Sequence, residues 1–314
     1  MKKIVLYIAS LFLGTITYAQ EVTLPILNQY IADNPFLLSA SYAGIGECWQ
    51  IRATGFEQWV GLEDAPSTQS ISIDGRIANR SGVGAVIFND SNGFTSQQGV
   101  QASFAHHVTL TEYNRQYLSF GISYKYTQYR IDSSEFNQVG LDGIGGDLST
   151  VDHNFDISLL YRIQSFFVSA NAINVINRRL QEFDPTEPEE LQNFYVYGGF
   201  TFDNVFKELQ FEPSFLYRNF VSDTRSTLDL NFKVRKFFKD SYFWAGFSVR
   251  GIVDQSFKPL SVSPLLGLKK SKFYFAYGYQ LNTNEVLQAS TGGSHLLTLG
   301  VDFGCRKSTC GCTF

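Results

Sequence analysis

The stretch Asn154-Phe155-Asp156-Ile157-Ser158-Leu159-Leu160-Tyr161-Arg162-Ile163 decides how this chain folds. Phe155, Ile157, Leu159, Tyr161 and Ile163 occupy one set of alternate positions; Asn154, Asp156, Ser158, Leu160 and Arg162 occupy the other. Successive side chains of a β-strand point to opposite faces, so period-2 alternation describes a strand with one apolar and one polar face. Residues 228–235 repeat the pattern, with Leu228, Leu230, Phe232 and Val234 opposing Asp229, Asn231, Lys233 and Arg235. Near the end, Leu297, Leu299, Val301 and Phe303 oppose Thr298, Gly300 and Asp302.

Outward from these stretches, about fourteen similar segments follow along the chain. They begin near Cys48, Ser67, Gly82, Gln98, Gln116, His153, Phe166, Asn193, Glu208, Ser226, Tyr242, Lys258, Lys272 and His295. Many run close to the roughly ten residues that a tilted strand needs to cross a bilayer. Aromatic residues crowd their ends, as in Tyr124, Tyr126 and Tyr129, or Tyr274, Tyr277 and Tyr279, where amphipathic rings suit headgroup depth. With the first strand starting in the periplasm, the short connections at 78–81, 164–165, 238–241 and 269–271 all fall on the inner side. The long ones at 130–152, 174–192 and 281–294 fall outside. A soluble sandwich gives no reason for that parity, whereas membrane barrels have it. The expected fold is therefore all-β: a closed transmembrane antiparallel β-barrel of about 14 strands.

Composition agrees. Phe and Tyr total 46 while Met occurs once and charged residues make up 17%. Mean hydropathy is −0.08, and beyond the leader no apolar run reaches the 18 residues of a membrane helix. Residues 1–19 read as a signal peptide: Lys2 and Lys3, an apolar run from Ile4 to Leu13, and Thr17 and Ala19 before a cut after Ala19. The 295 residues that remain carry 23 basic against 29 acidic side chains, a net charge of −6 with no basic stripe, so nucleic acid is not an expected partner. Residues 20–47, with Leu24, Ile26, Leu27, Tyr30, Ile31, Phe36, Leu37 and Leu38, are too apolar to hang in water. They are expected to plug the barrel of residues 48–304, to cover its periplasmic mouth, or to dock a periplasmic partner.

Chemistry is sparse. His106 and His107 are adjacent and so face opposite ways in a strand, no Gly-x-Ser-x-Gly elbow is present, and no metal or cofactor is expected. Asp142-Gly143-Ile144-Gly145-Gly146 lacks the following Lys-Ser/Thr of a phosphate loop, and the acidic run Glu182, Asp184, Glu187, Glu189 and Glu190 lacks calcium-loop spacing; both read as outer loops. An even strand number brings the first and last strands together antiparallel, so Cys48 and Cys305 would meet at the periplasmic rim and form a disulfide. Four cysteines allow three complete pairings, and a zinc site from Cys48, Cys305, Cys310 and Cys312 is the sharper alternative. The tail 305–314 carries the last three.

Several short pieces in order carry a family resemblance: Tyr42-Ala43-Gly44, Gln58-Trp59-Val60-Gly61, Ala65-Pro66-Ser67-Thr68-Gln69, Gly82-Val83-Gly84 with Asn89-Asp90 and Gly93, Pro213-Ser214-Phe215-Leu216, Ser263-Pro264, Tyr277-Gly278-Tyr279 and Gly293-Ser294-His295. From about Gln29 to Gly304 the chain resembles the PorP/SprF outer-membrane proteins of Bacteroidota. Ser39-Ala40-Ser41 stands where that family reads Asn-Pro-Ala, and Leu296 where it has Glu. The resemblance implies a non-catalytic component of type IX secretion and gliding motility, acting in export or surface anchoring of partner proteins. Its implied partners are outer-membrane lipid, other type IX components in the periplasm, and a secreted adhesin or other cargo at the cell surface. Gln58, Trp59, Gly61, Pro66 and Gln69 are the candidate partner-facing residues, with Trp59 at the outer interface. A passive pore or hydrophobic-substrate channel is the alternative function, and a barrel hydrolase a third. Pro213 and Pro264 fall inside expected strands and point to bulges or bends there.

Overall fold

The computed structural model describes residues 29–132, 148–176, 179–180, 189–190, 192–204, 208–221, 225–255, 257–284 and 289–305. The expected signal peptide, residues 20–28, the glycine run 142–146, Glu182, Asp184 and Glu187 of the acidic run, and Cys310 and Cys312 lie outside that set. Fourteen strands form the wall: β1 (Trp49–Glu57), β2 (Ser67–Ala78), β3 (Ser81–Asn92), β4 (Thr95–Thr111), β5 (Gln116–Ile131), β6 (Leu148–Ile163), β7 (Phe166–Ile173), β8 (Asn193–Phe200), β9 (Leu209–Phe220), β10 (Ser226–Phe237), β11 (Ser241–Ile252), β12 (Lys258–Lys270), β13 (Phe273–Asn282) and β14 (Ser294–Phe303). Each pairs antiparallel with its chain neighbours, and β1 pairs with β14 from Trp49↔Phe303 to Glu57↔His295, so the sheet closes and leaves no free edge. One extra short strand, Phe202–Asp203, pairs with the start of β9.

The alternation becomes an inverted polarity. Ile71 and Ile87, neighbours across β2 and β3, are 56% and 61% exposed on the outside, while Ser70, Ser72 and Asp74, the alternate positions of β2, are buried inside. Apolar side chains that would be costly in water face the hydrocarbon, and polar ones hydrogen-bond within the bore. Thr54 bonds Thr298 across the seam at 3.1 Å, and Arg52 pairs with Asp302 at 2.7 Å, both inside. Among the described residues no helix is long and apolar enough to cross a membrane.

Two expectations need correction. β6 starts at Leu148 rather than near His153, and β4 at Thr95 rather than near Gln98, because the ladder with β5 continues past the apolar zone. Up there the inner face stays buried, as at Gln97 and Asp152, but the outward residues Gln98 and Ser149 are polar, so the pairing leaves no apolar period-2 trace. Pro213 and Pro264 carry no register shift; shifts occur instead at Arg76/Ala78, Thr109/Thr111 and Arg250/Gly251. Each proline pairs on one side only (Pro213 with Phe232, Pro264 with Phe247), and the ladder on its other side skips it, which accommodates a residue with no N–H.

Candidate functional site

The bore is filled by the chain's own N-terminal segment. Three short 3₁₀ turns, Gln29–Ile31, Pro35–Leu37 and Ala40–Tyr42, carry Tyr30, Ile31, Phe36, Leu38, Tyr42 and Ala43 into the core. Pro35 sets the second turn, where its missing N–H costs nothing. The Tyr30 ring meets Tyr197 of β8 edge-on at 5.4 Å, and Tyr42 lies 6.3 Å from the same ring.

Polar contacts fix the segment at separate heights around the wall. The Asn34 amide donates to Ser72 Oγ at 3.0 Å, the Ser41 N–H to Ser158 Oγ at 3.0 Å, and the Gly44 N–H to Asp74 Oδ2 at 3.0 Å. Asp33 accepts from Lys233 Nζ at 2.9 Å, Arg235 Nη2 at 2.8 Å and the Tyr242 hydroxyl at 2.9 Å, and Glu212 completes the network at 3.4 Å from Lys233. Burial pushes the Asp33 carboxyl up, but Lys233 and Arg235 outweigh it and hold it well below the usual carboxylate range. The Tyr30 hydroxyl donates to Asp229 at 3.1 Å, and Asp229, fully buried, is clamped by two 2.7 Å bonds from Arg250. Burial and the Asp229 carboxylate push the Tyr30 phenol well above its ordinary value, so it remains a neutral donor. Buried ion pairs of this kind add little net stability but penalise any other placement of the segment.

At the outer rim the Gln58 N–H donates to the Pro66 carbonyl at 2.8 Å, closing the loop between β1 and β2. Trp59 has a left-handed φ of 47°, its N–H donates to Ser294 Oγ at 3.2 Å, and Val60 exchanges two backbone bonds with residues 292–293. Gly61, with φ 103°, permits the turn that leaves Val60 and Leu62 exposed. Gln69 does not join this group: it faces outward on β2, in one register row with Asn89, Gln98 and Gln128. At the other rim Cys48 and Cys305 are joined as a disulfide, their Cα atoms 3.9 Å apart, just past the first and last seam pair.

His106 and His107 do face opposite ways. His106 is exposed beside Ser81, whereas His107 is buried, 2.8 Å from Ser119 Oγ and 3.0 Å from the Ala43 carbonyl. This Ser–His pair has its second ring nitrogen on a backbone carbonyl rather than a carboxylate, and the segment seals it from solvent. Among the described residues no three His, Cys, Asp or Glu side chains cluster as a metal site.

A family model described as the type IX secretion system membrane protein PorP/SprF matches residues 19–301. The chain belongs to the PorP/SprF family. It is an outer-membrane β-barrel associated with type IX secretion. Solved structures align across most of it at low identity. The CymD monoaromatic hydrocarbon channel gives a TM-score of 0.48 at 10% identity, over 94% of this chain and 96% of that one. The toluene transporter TbuX of Ralstonia pickettii gives 0.45 at 10%, over 82% and 88%. CdiB from Acinetobacter baumannii gives 0.37 at 7%, over 82% of this chain and 60% of CdiB, so the chain spans about three-fifths of that protein's length. These are likenesses of fold alone. A comparison with curated proteins finds no match.

The bore explains several PorP/SprF motif residues. A Cβ on Gly82 would lie 2.1 Å from the Ala43 carbonyl oxygen, and one on Gly84 would lie 2.4 Å from the Phe36 ring. Tyr42-Ala43-Gly44 and Gly82-Val83-Gly84 are thus two halves of one contact, with Gly44 at φ 70° turning its N–H to Asp74. A Cβ on Gly121 of β5 would strike Ser41 N at 2.3 Å. Sequence reasoning missed Asp33, Lys233, Arg235 and Tyr242 as a unit, since their partners are 200 to 209 residues apart. The readable trace was that Asp229, Asn231, Lys233 and Arg235 all sit on the inward face of β10.

Proposed function

We propose that this PorP/SprF barrel is a closed, non-catalytic scaffold in the outer membrane that takes part in export or surface anchoring of partner proteins, rather than a pore. The observation that carries the reading is the segment of residues 29–45 seated in the bore and tied to β2, β6, β10 and β11. A channel needs that volume for its solute, whereas a scaffold needs a rigid wall and two presented rims. A secreted adhesin or other cargo would meet the outer rim, through the loop bearing Gln58, Trp59, Gly61 and Pro66 and the longer outer connections. Other type IX components, including those of gliding motility, would meet the periplasmic turns. Gln69 would then face lipid or a membrane-embedded neighbour.

Two measurements test this together. The full chain in planar bilayers should give no steady conductance, and a pull-down from detergent-solubilised envelopes should bring secretion components or a secreted protein with it. Steady conductance with nothing co-purifying would instead establish the channel.

A further inference from the structure

The lipid-facing register of β10 runs Leu230, Phe232, Val234 and ends on Lys236; that of β12 runs Leu266, Leu268 and ends on Lys270. Lys236 pairs with Phe243, Phe243 with Leu268, and Lys270 with Phe273, so both lysines lie beside exposed apolar side chains at the periplasmic edge. Leu268, Phe243 and Phe273 are 44%, 43% and 68% exposed. The turns that follow carry Lys239 and Lys272, both exposed, and are joined by the Ser271 N–H donating to the Asp240 carbonyl at 3.0 Å. Lys236 Nζ lies 5.6 Å from the centre of the Phe238 ring, itself exposed. Four exposed ammonium groups thus gather on two touching hairpins, with Asp240 and Glu208 as the acidic side chains beside them. Lys269 is not counted, since it pairs with Asp302. Other turns at this rim bring fewer cations together: 164–165 has no charge, Arg115 shares its turn with Glu112, and the 78–81 turn carries the one cation Arg80.

We propose that this sector binds anionic phospholipids of the periplasmic leaflet, with lysine ammoniums on the phosphate and acyl chains along Phe243, Leu268, Phe273 and Phe275. An acidic protein could also be drawn by four lysines. The register argues for lipid, because Lys236 and Lys270 are wall positions at the foot of an apolar column, where long stems lie on hydrocarbon and the charge reaches the headgroups. Each lysine near an anionic surface contributes about a fivefold gain in affinity at low ionic strength. The inference depends on the barrel and its orientation, not on the scaffold function.

The test titrates the full chain in an uncharged detergent with phosphatidylglycerol or phosphatidylcholine of identical acyl chains and counts bound lipid by native mass spectrometry. Wild type should retain phosphatidylglycerol preferentially, with the preference shrinking as salt rises. Lys236→Gln with Lys270→Gln should cut the preference roughly 25-fold, at about fivefold per lysine. Lys239→Gln with Lys272→Gln, on the turns, should cut it less, and Lys258→Gln at the opposite rim should leave it alone. Inorganic phosphate at millimolar concentration should compete poorly, since it has no chains to bury. Equal retention of both lipids, an unchanged preference in the wall variant, or full competition by phosphate would overturn the proposal. So would a wall variant that keeps its lipid preference while losing capture of an acidic periplasmic protein.

Discussion

Gly82→Val should force the part of the N-terminal segment around residues 42–45 off the wall while leaving the barrel folded. A Cβ at Gly82 would sit 2.1 Å from the Ala43 oxygen, 2.6 Å from the Ala43 carbonyl carbon and 2.8 Å from Gly44 Cα, so the segment's backbone would have to retreat by more than an ångström. Overpacking of a well-filled site costs about 1–3 kcal/mol. Against it stand three hydrogen bonds at the same spot: Gly44 N–H to Asp74, Arg76 Nε–H to the Gly44 carbonyl, and His107 with the Ala43 carbonyl, each 3.0 Å long. Two involve charged groups at about 1.5–3 kcal/mol and one is neutral at about 0.5–1.5, so their loss costs on the order of 4–7 kcal/mol. Alanine, with one carbon, falls below that sum, and the segment should stay seated under strain. Valine adds two more carbons against immobile backbone, which takes the cost past the usual range and toward that sum, so the contact at residues 43–44 should give way. The wall itself accepts valine, since Gly82 does not have a left-handed φ and β-branched residues suit strands. Hydrogen exchange of the amides of residues 36–45 reads the outcome, with heat-dependent gel migration reporting the barrel. Gly55→Val is the control, because nothing lies within 4 Å of a Cβ there. Wild-type protection of 36–45 in the Gly82 variant, or equal loss in the control, would refute the reasoning.

Three further outcomes follow from the bore and the seam. Asp33 has a folded-state pKa below its unfolded one, so its contribution is full above the usual carboxylate range and fades as pH falls through the depressed value; protection of residues 29–34 should hold down to about pH 4, the unperturbed carboxylate value, and Asp33→Asn should lower it at neutral pH. Arg250→Met leaves the fully buried Asp229 without its two 2.7 Å bonds and should destabilise the barrel by about 3–5 kcal/mol in urea unfolding, whereas Tyr30→Phe, which removes one bond to the same carboxylate, should cost about 1.5–3. Cys48→Ser should lower the temperature of the gel-mobility transition without opening a conductance, because nine register pairs still close the seam beside the lost bridge.

The wall was legible because lipid and bore impose opposite demands on adjacent residues. Phe155, Ile157 and Leu159 had to suit hydrocarbon while Asp156, Ser158 and Arg162 had to find partners inside, and a period of 2 over ten residues records both demands. The record fails at the upper ends of β4 and β6, where Gln97 and Asp152 are still buried inside but the outward residues Gln98 and Ser149 are polar, so no apolar face marks the ladder. The contents of the bore were harder to read. A water-filled lumen and a plugged one both call for polar inward residues, so Asp229, Asn231 and Lys233 look the same in either. The two cases differ at positions of no size. A water channel has no use for Gly82 and Gly84 on β3 or for Gly121, which shares Gly82's register row across β4, whereas a backbone seated against the wall needs the space their missing side chains leave. The aligned glycines, rather than the charges they sit among, carried the plug in the sequence.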